Sequence, residues 1–259
     1  MLSPSWPGSD WVLVTVFVAM IVFLGLRARR RDRREFRRFK NYRSTVRRQE
    51  MMRKWLRDSF LTFGGLAVVL LLLVWQYIPL LLEAAWALEP IAWARERADL
   101  GLIAVIALAA IFVITTGVLY LARGELEGGE IPAIGDIQAM VPRNRAEVRI
   151  GALLSVNAGV VEELVFRLAL PALLYGAFGS VEFALLTSAL VFGGLHAYQG
   201  PVGIIGTTII GLLLLALYIA SGSILLPIIA HALIDLRTFV QIPLIVLRVP
   251  AAPTPRAAR

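Results

Sequence analysis

Seven runs of this chain are apolar over roughly the length a bilayer demands, and that property limits its fold more than any other. They lie at about 11–26, 60–82, 100–121, 150–178, 181–197, 202–220 and 224–247. A hydrocarbon core about 30 Å thick calls for about 20 apolar residues at about 1.5 Å per residue, so the first run is marginal and the others suffice or nearly so. Inside hydrocarbon, each backbone N–H and C=O must be satisfied within its own segment. An open chain therefore crosses as helix, and no period-2 alternation suggests a barrel. The expected fold class is all-α, a polytopic membrane bundle of about seven transmembrane helices. Breaks at Gly179-Ser180, Gln199-Gly200-Pro201 and Ser221-Gly222-Ser223 make the last four a tight up-and-down set.

Charge is distributed as such a bundle needs. The formal +8 would suggest nucleic acid, but Arg27 to Arg57 holds fifteen of the 26 basic residues against four acids ending at Asp58. That segment alone is +11 and the rest −3, so the excess is one juxtamembrane stretch and not a face for reading nucleic acid. Nothing basic precedes the first run, and Arg27-Ala28-Arg29-Arg30-Arg31 follows it, the reverse of a secretory signal. Placing 27–58 in the cytosol as a polybasic loop puts the N-terminus outside and the acidic 83–99 loop outside. The C-terminal tail, with Arg248, Arg256 and Arg259, then lies in the cytosol. The same basic loop would attract anionic headgroups at about 1 kcal/mol per basic residue near the surface. The domain reading has three parts: 1–135, with three spans, the basic loop and a linker; 136–247, a compact core; and 248–259, a tail.

The chain has no cysteine, which excludes disulfides, thiolate ligands and a thiol nucleophile. Chemistry is left to carboxylates, imidazoles and hydroxyls. Between 150 and 247 only Glu162, Glu163, Arg167, Glu182, His196, His231, Asp235 and Arg237 carry an acid, imidazole or guanidinium group. A charge at mid-helix costs about 2.5–3.5 kcal/mol on insertion scales, so such groups mark a polar centre inside a bundle. Both histidines of the chain fall in these helices. Glu163 and Arg167 stand i,i+4 and can pair, while Glu162 is turned about 100° away and stays available. His231 and Asp235 are also i,i+4 and project from one face. A free carboxylate with a second polar cluster suits hydrolysis, the first taking a proton from water and the second stabilising an oxyanion or holding a metal. The competing reading of the same residues is a buried ion-pair network that fixes helix packing.

Three ordered motifs then point further. Ala158-Gly159-Val160-Val161-Glu162-Glu163-Leu164-Val165-Phe166-Arg167 resembles an EExxxR motif, Phe192-Gly193-Gly194-Leu195-His196 an FxxxH motif, and His231-Ala232-Leu233-Ile234-Asp235 an HxxxN/D motif. Together they resemble the CPBP family, the CAAX proteases and bacteriocin-processing proteins, over about 136–240. The resemblance implies an intramembrane endopeptidase with its catalytic core in the last four helices. It implies that Glu162 and His196 activate water, that Glu163 and Arg167 form a supporting ion pair, and that His231 and Asp235 stabilise the oxyanion. In the metalloprotease version, Glu162, His196, His231 and Asp235 bind a divalent metal such as zinc. The sequence does not require that metal, having no HExxH. Prenyl-protein enzymes usually carry Asn where this chain has Asp235. An ionised Asp cannot donate to an oxyanion, but it can do so protonated, or orient His231, or bind metal. The expected partners are the bilayer, anionic headgroups at Arg27–Arg57, and a membrane-associated protein or peptide substrate, with no nucleic acid. The alternatives are a non-catalytic scaffold or bacteriocin self-immunity protein of the same family and, behind it, a transporter using the polar centre as an ion relay. Serine and aspartyl intramembrane proteases fit poorly, since neither GxSG nor GxGD occurs.

Overall fold

The computed structural model describes residues 4–126 and 137–249. Residue 136, where the core was expected to begin, and most of the 248–259 tail lie outside the described residues. Every regular element among them is helical. In chain order these are α1 (Ser9–Lys40) and α2 (Thr45–Val74), the short α3 (Tyr77–Trp86) and α4 (Glu89–Arg97), and α5 (Leu100–Leu121). Next comes α6, one run through Arg145–Glu163, Leu164–Ala169 and Leu170–Phe178, then α7 (Val181–Leu195), α8 (Gly200–Ser221) and α9 (Leu225–Val246). Among the described residues, α1, α2, α5, α9 and the helix from the Ala197 turn through α8 are long and apolar enough to cross a membrane. The interrupted helix α6 and the shorter apolar helix α7 complete the all-α polytopic bundle expected from the sequence.

Two stretches differ from the sequence reading. The 60–82 run is not one helix. Pro79 has no N–H, and its ring crowds the carbonyl four residues back, at Trp75; α2 stops at Val74 and α3 restarts at Tyr77. The basic 27–58 segment, expected as a loop, is a helical hairpin in which α1 and α2 continue past their apolar parts and meet at a turn over 41–44. Ser44 caps α2 by accepting from the Arg47 amide at 3.4 Å. Phe36 and Phe39 on α1 face inward, as do Met52 and Trp55 on α2, with the Phe39 and Trp55 rings 4.7 Å apart. Apolar residues at i,i+3 on both arms bury a seam, which leaves Arg29, Arg30, Arg33, Arg34, Arg37 and Arg38 along an outer groove.

A buried guanidinium fastens this hairpin to α6. Arg48 is fully buried, its Nε 3.1 Å from Glu147 Oε2 and its two Nη atoms donating to Ala139 O at 2.8 Å and Val141 O at 3.1 Å. Phe39 lies under the guanidinium at 4.3 Å. Glu147 also accepts from the Arg143 amide at 3.0 Å, and Asn144 accepts from the Glu147 amide at 2.9 Å, so the start of α6 is capped reciprocally.

Long-range contacts sort the helix ends into two sets. Trp86 Nε1 donates to Ile219 O at 2.8 Å, and Gly101 lies against Ser221. At the other end, Arg48 meets Glu147 and Phe36 meets Tyr198. The up-and-down order of the spans follows from these contacts independently of charge. The main apolar core joins α1, α2, α3, α6, α7 and α8, while α5 lies outside against α8 and α9, its Val113, Ile114 and Val118 exposed to whatever surrounds the bundle. Helices α6 and α9 cross closely at Gly159, where an added Cβ would meet Ala232 and the Ile228 carbonyl at 3.0 Å.

Candidate active site

Close approach of α6 and α9 brings the acid-rich motif of one against the histidine of the other. Glu163 is fully buried; its Oε2 lies 2.9 Å from Nε of Arg167, one turn on. Its other oxygen, Oε1, accepts from His231 Nδ1 at 2.6 Å. The Arg167 guanidinium lies 4.4 Å over the ring of Phe192 on α7, which holds the group where its N–H bonds to Glu163 are poorly aligned. His231 Nε2 is 3.9 Å from Asp235 Oδ2, too long for a hydrogen bond and close enough for an ion pair.

Helix α7 supplies the second imidazole. His196 is its C-terminal cap, and Nδ1 lies 2.9 Å from the Phe192 carbonyl. A carbonyl only accepts, so Nδ1 carries the proton and the neutral ring presents Nε2 as a lone pair. The Phe192 ring is 4.9 Å from His196 and stands edge-on to His231 at 6.0 Å, so one buried aromatic touches both imidazoles and Arg167.

Glu162, His196, His231 and Asp235 all face one cavity of about 250 Å³. Glu163 and Arg167 stand behind its wall. Glu162 has no hydrogen bond or ion pair among the described residues, yet it is close enough to His231 and Asp235 for their charges to act on it. Its carboxylate is open to the cavity.

The opposite wall comes from the hairpin and the helices that lead into it. Leu24, Arg27, Arg31, Glu35, Trp55 and Phe63 are among its lining residues. Its charges are tied together: Glu35 accepts from Lys54 at 2.5 Å, Trp55 at 2.9 Å and Arg31 at 3.1 Å, and Asp58 pairs with Arg31 and with Lys54. Sequence reasoning did not place these residues at the site. The one signal available was the apolar i,i+3 spacing at 36 and 39 and the apolar pair at 52 and 55, which the surrounding arginines masked.

Four helices leave α geometry beside this cavity, with π turns at Ala28–Asp32, Phe60–Gly64, Leu164–Ala169 and Arg237–Val246. Such turns gather at functional sites because the extra residue re-aims neighbouring side chains.

The type II CAAX prenyl endopeptidase Rce1-like family model matches residues 144–237. Over these residues the protein is similar to that family. The match begins at the cap of α6 and ends just past Asp235, so it spans the three motifs and every acid and imidazole that faces the cavity from α6, α7 and α9. The Rce1-like family is one of CAAX-protease-type membrane enzymes, in accord with the resemblance drawn from the motifs. No curated protein and no solved structure matches the chain. The hairpin wall lies outside the matched segment.

The metal reading needs at least three converging ligands. Among the described residues, no three histidine or acidic side chains gather as a group able to hold an ion. Glu163 already holds His231, and the residues present do not form the ligand set that a zinc site requires.

Proposed function

We propose that this protein is an intramembrane endopeptidase that hydrolyses a peptide bond in a membrane-associated protein or peptide. The observation that carries the proposal is that Glu162, His196, His231 and Asp235, from three helices, open onto one cavity. In this reading a water bound between Glu162 and His196 Nε2 gives its proton to the Glu162 carboxylate as its oxygen adds to the scissile carbonyl carbon. The carbonyl oxygen becomes an oxyanion facing His231 and Asp235. The C–N bond then breaks, and the proton held by Glu162 passes to the leaving amine. Glu163 and Arg167 act indirectly, fixing the ring plane of His231 from behind. A low-dielectric cavity strengthens each of these interactions.

The hairpin is placed in the cytosol, so that the N-terminus lies outside and the cavity opens on the cytosolic half of the bundle. Residues 1–135 then serve as a front that completes the site, 136–247 as the catalytic core and 248–259 as a cytosolic tail. Arg29, Arg30, Arg33, Arg34, Arg37 and Arg38 line one outer groove of the hairpin with no acid among them, which supports contact with anionic headgroups.

The test compares protein termini by mass spectrometry in membranes of cells expressing wild type or Glu162→Gln at equal abundance. New termini that disappear in the variant are the expected result, and they name the substrate. Identical profiles would favour the non-catalytic scaffold or immunity reading.

A further inference from the structure

An oxyanion needs hydrogen-bond donors, and few groups facing the cavity have one to give. Ionised Glu162 and Asp235 only accept. His196 donates through Nδ1 to Phe192 and keeps Nε2 as a base. His231 donates through Nδ1 to Glu163, and the Asp235 carboxylate, 3.9 Å from Nε2, competes for any proton placed there. On the hairpin wall, Arg31 is turned to Glu35 and Asp58, while Arg27 donates to Thr62 and keeps its remaining Nε–H buried, 3.6 Å from Asp32 and closed off from the cavity.

Tyr198 stands apart from these. It lies in the tight turn Ala197–Gln199 directly after His196 and faces the same cavity. Its oxygen accepts from Gln199 Nε2 at 3.1 Å, which leaves its own O–H with no acceptor among the described residues. Glu162, Asp235 and Asp32 are all near enough for their charges to act on that hydroxyl. The ring is held edge-on against Phe36 at 5.2 Å and tilted against His196 at 6.0 Å. A rigid ring, an accepting bond that sets the lone pairs, and a spare proton beside the catalytic carboxylate are the parts of a preorganised donor.

We propose that Tyr198 is a further catalytic residue whose hydroxyl donates to the scissile carbonyl oxygen as that oxygen gains negative charge. This rests on the endopeptidase reading and supplies the donor that an ionised Asp235 lacks. The hairpin then contributes to catalysis through Phe36, which fixes the ring.

The experiment uses the full-length protein in membranes, with wild type, Glu162→Gln, Tyr198→Phe and Thr238→Val at equal abundance. Thr238 is the comparison because it is another hydroxyl facing the cavity. A protein whose cleavage depends on Glu162 is chosen as probe, and initial rates are measured against its concentration. Tyr198→Phe keeps the ring and removes one oxygen. It is expected to lower the maximal rate about a hundredfold, the order seen for loss of one oxyanion donor, with half-saturation unchanged. Retention of the probe by Glu162→Gln is expected to be the same with and without Tyr198→Phe, since the bond forms only in the transition state. A Tyr198→Phe protein that cuts at the wild-type rate, a loss confined to half-saturation, or a larger loss in Thr238→Val would overturn the role of Tyr198 and leave the protease reading intact. Termini that do not depend on Glu162 would overturn both.

Discussion

Oε1 of Glu163 lies 2.6 Å from Nδ1 of His231, across the crossing of α6 and α9. Spacing along the sequence pairs Glu163 only with Arg167. In space it is shared, and one carboxylate joins a guanidinium on its own helix to an imidazole on another.

Removing that carboxylate strands a charge. Arg167 is 1% exposed, and among the described residues no other carboxylate pairs with it. Glu163→Ala is expected to lower stability by about 3–5 kcal/mol, the cost of breaking a buried pair from one side. Adding Arg167→Met should recover most of that loss without restoring cleavage. Unfolding by denaturant in mild detergent measures both, and a single variant as stable as wild type would contradict the pairing.

The anchor between hairpin and core makes a parallel case. Arg48→Met leaves Glu147 buried without its cation and is expected to cost about 3–5 kcal/mol. Arg48→Met with Glu147→Leu should recover part of that loss, since no charge is left buried alone, while the Ala139 and Val141 carbonyls and the Arg143 amide still lose their partners. The same unfolding assay reads the pair, and additive losses in the double variant would show that the contact is not the anchor.

Neighbouring glycines of one motif should behave differently. A Cβ on Gly193 would fall 1.9 Å from Thr208 Oγ1 and 3.0 Å from the Ile204 carbonyl, whereas one on Gly194 meets nothing within 4 Å. Gly193→Ala must push α7 from α8 and is expected to cost about 1–3 kcal/mol, the usual range for overpacking, and to slow cleavage by moving His196. Gly194→Ala should match wild type in both. Equal effects at the two positions would mean that the approach of α7 to α8 is not the constraint.

Orientation can be read by labelling, since the chain has no cysteine of its own. In intact cells an impermeant maleimide should modify Trp93→Cys, on the exposed face of α4, and spare Arg43→Cys, in the hairpin turn, until the membrane is opened. The reverse pattern would turn the protein over and place the cavity outside.

Much of this architecture was readable before any coordinates. Apolar run length located α1, α5, α8 and α9, and the motifs located every acid and imidazole on α6, α7 and α9 that faces the cavity. Physical reasons account for the rest. The break after Val74 followed from Pro79, whose effect falls four residues upstream of where the proline is written. The hairpin was hidden because arginines outnumber the apolar residues that fold it, although Phe36 and Phe39 carry the spacing. The bond from Glu163 to His231 joins residues 68 positions apart, and no local pattern specifies which face of α6 meets which face of α9. The hairpin wall of the cavity was invisible for the same reason.

The π turns at Ala28–Asp32 and Phe60–Gly64 sit where the two hairpin arms leave their apolar parts. A π turn is an α-helix with one residue too many, so on either side of it the helix faces are phased independently. Deleting a residue of the regular helix beyond the turn, such as Arg34, with no bulge to absorb the change, would swing Phe36 and Glu35 by about 100° about the helix axis relative to Leu13 and Leu24 and draw them back by about 1.5 Å. The aromatic backing of Tyr198 and the ionic seam with Lys54 would both come undone, while the membrane-embedded half of the helix kept its packing. One surplus residue thus works as an indexing pin between the part of the chain that lodges in lipid and the part that shapes the cleft.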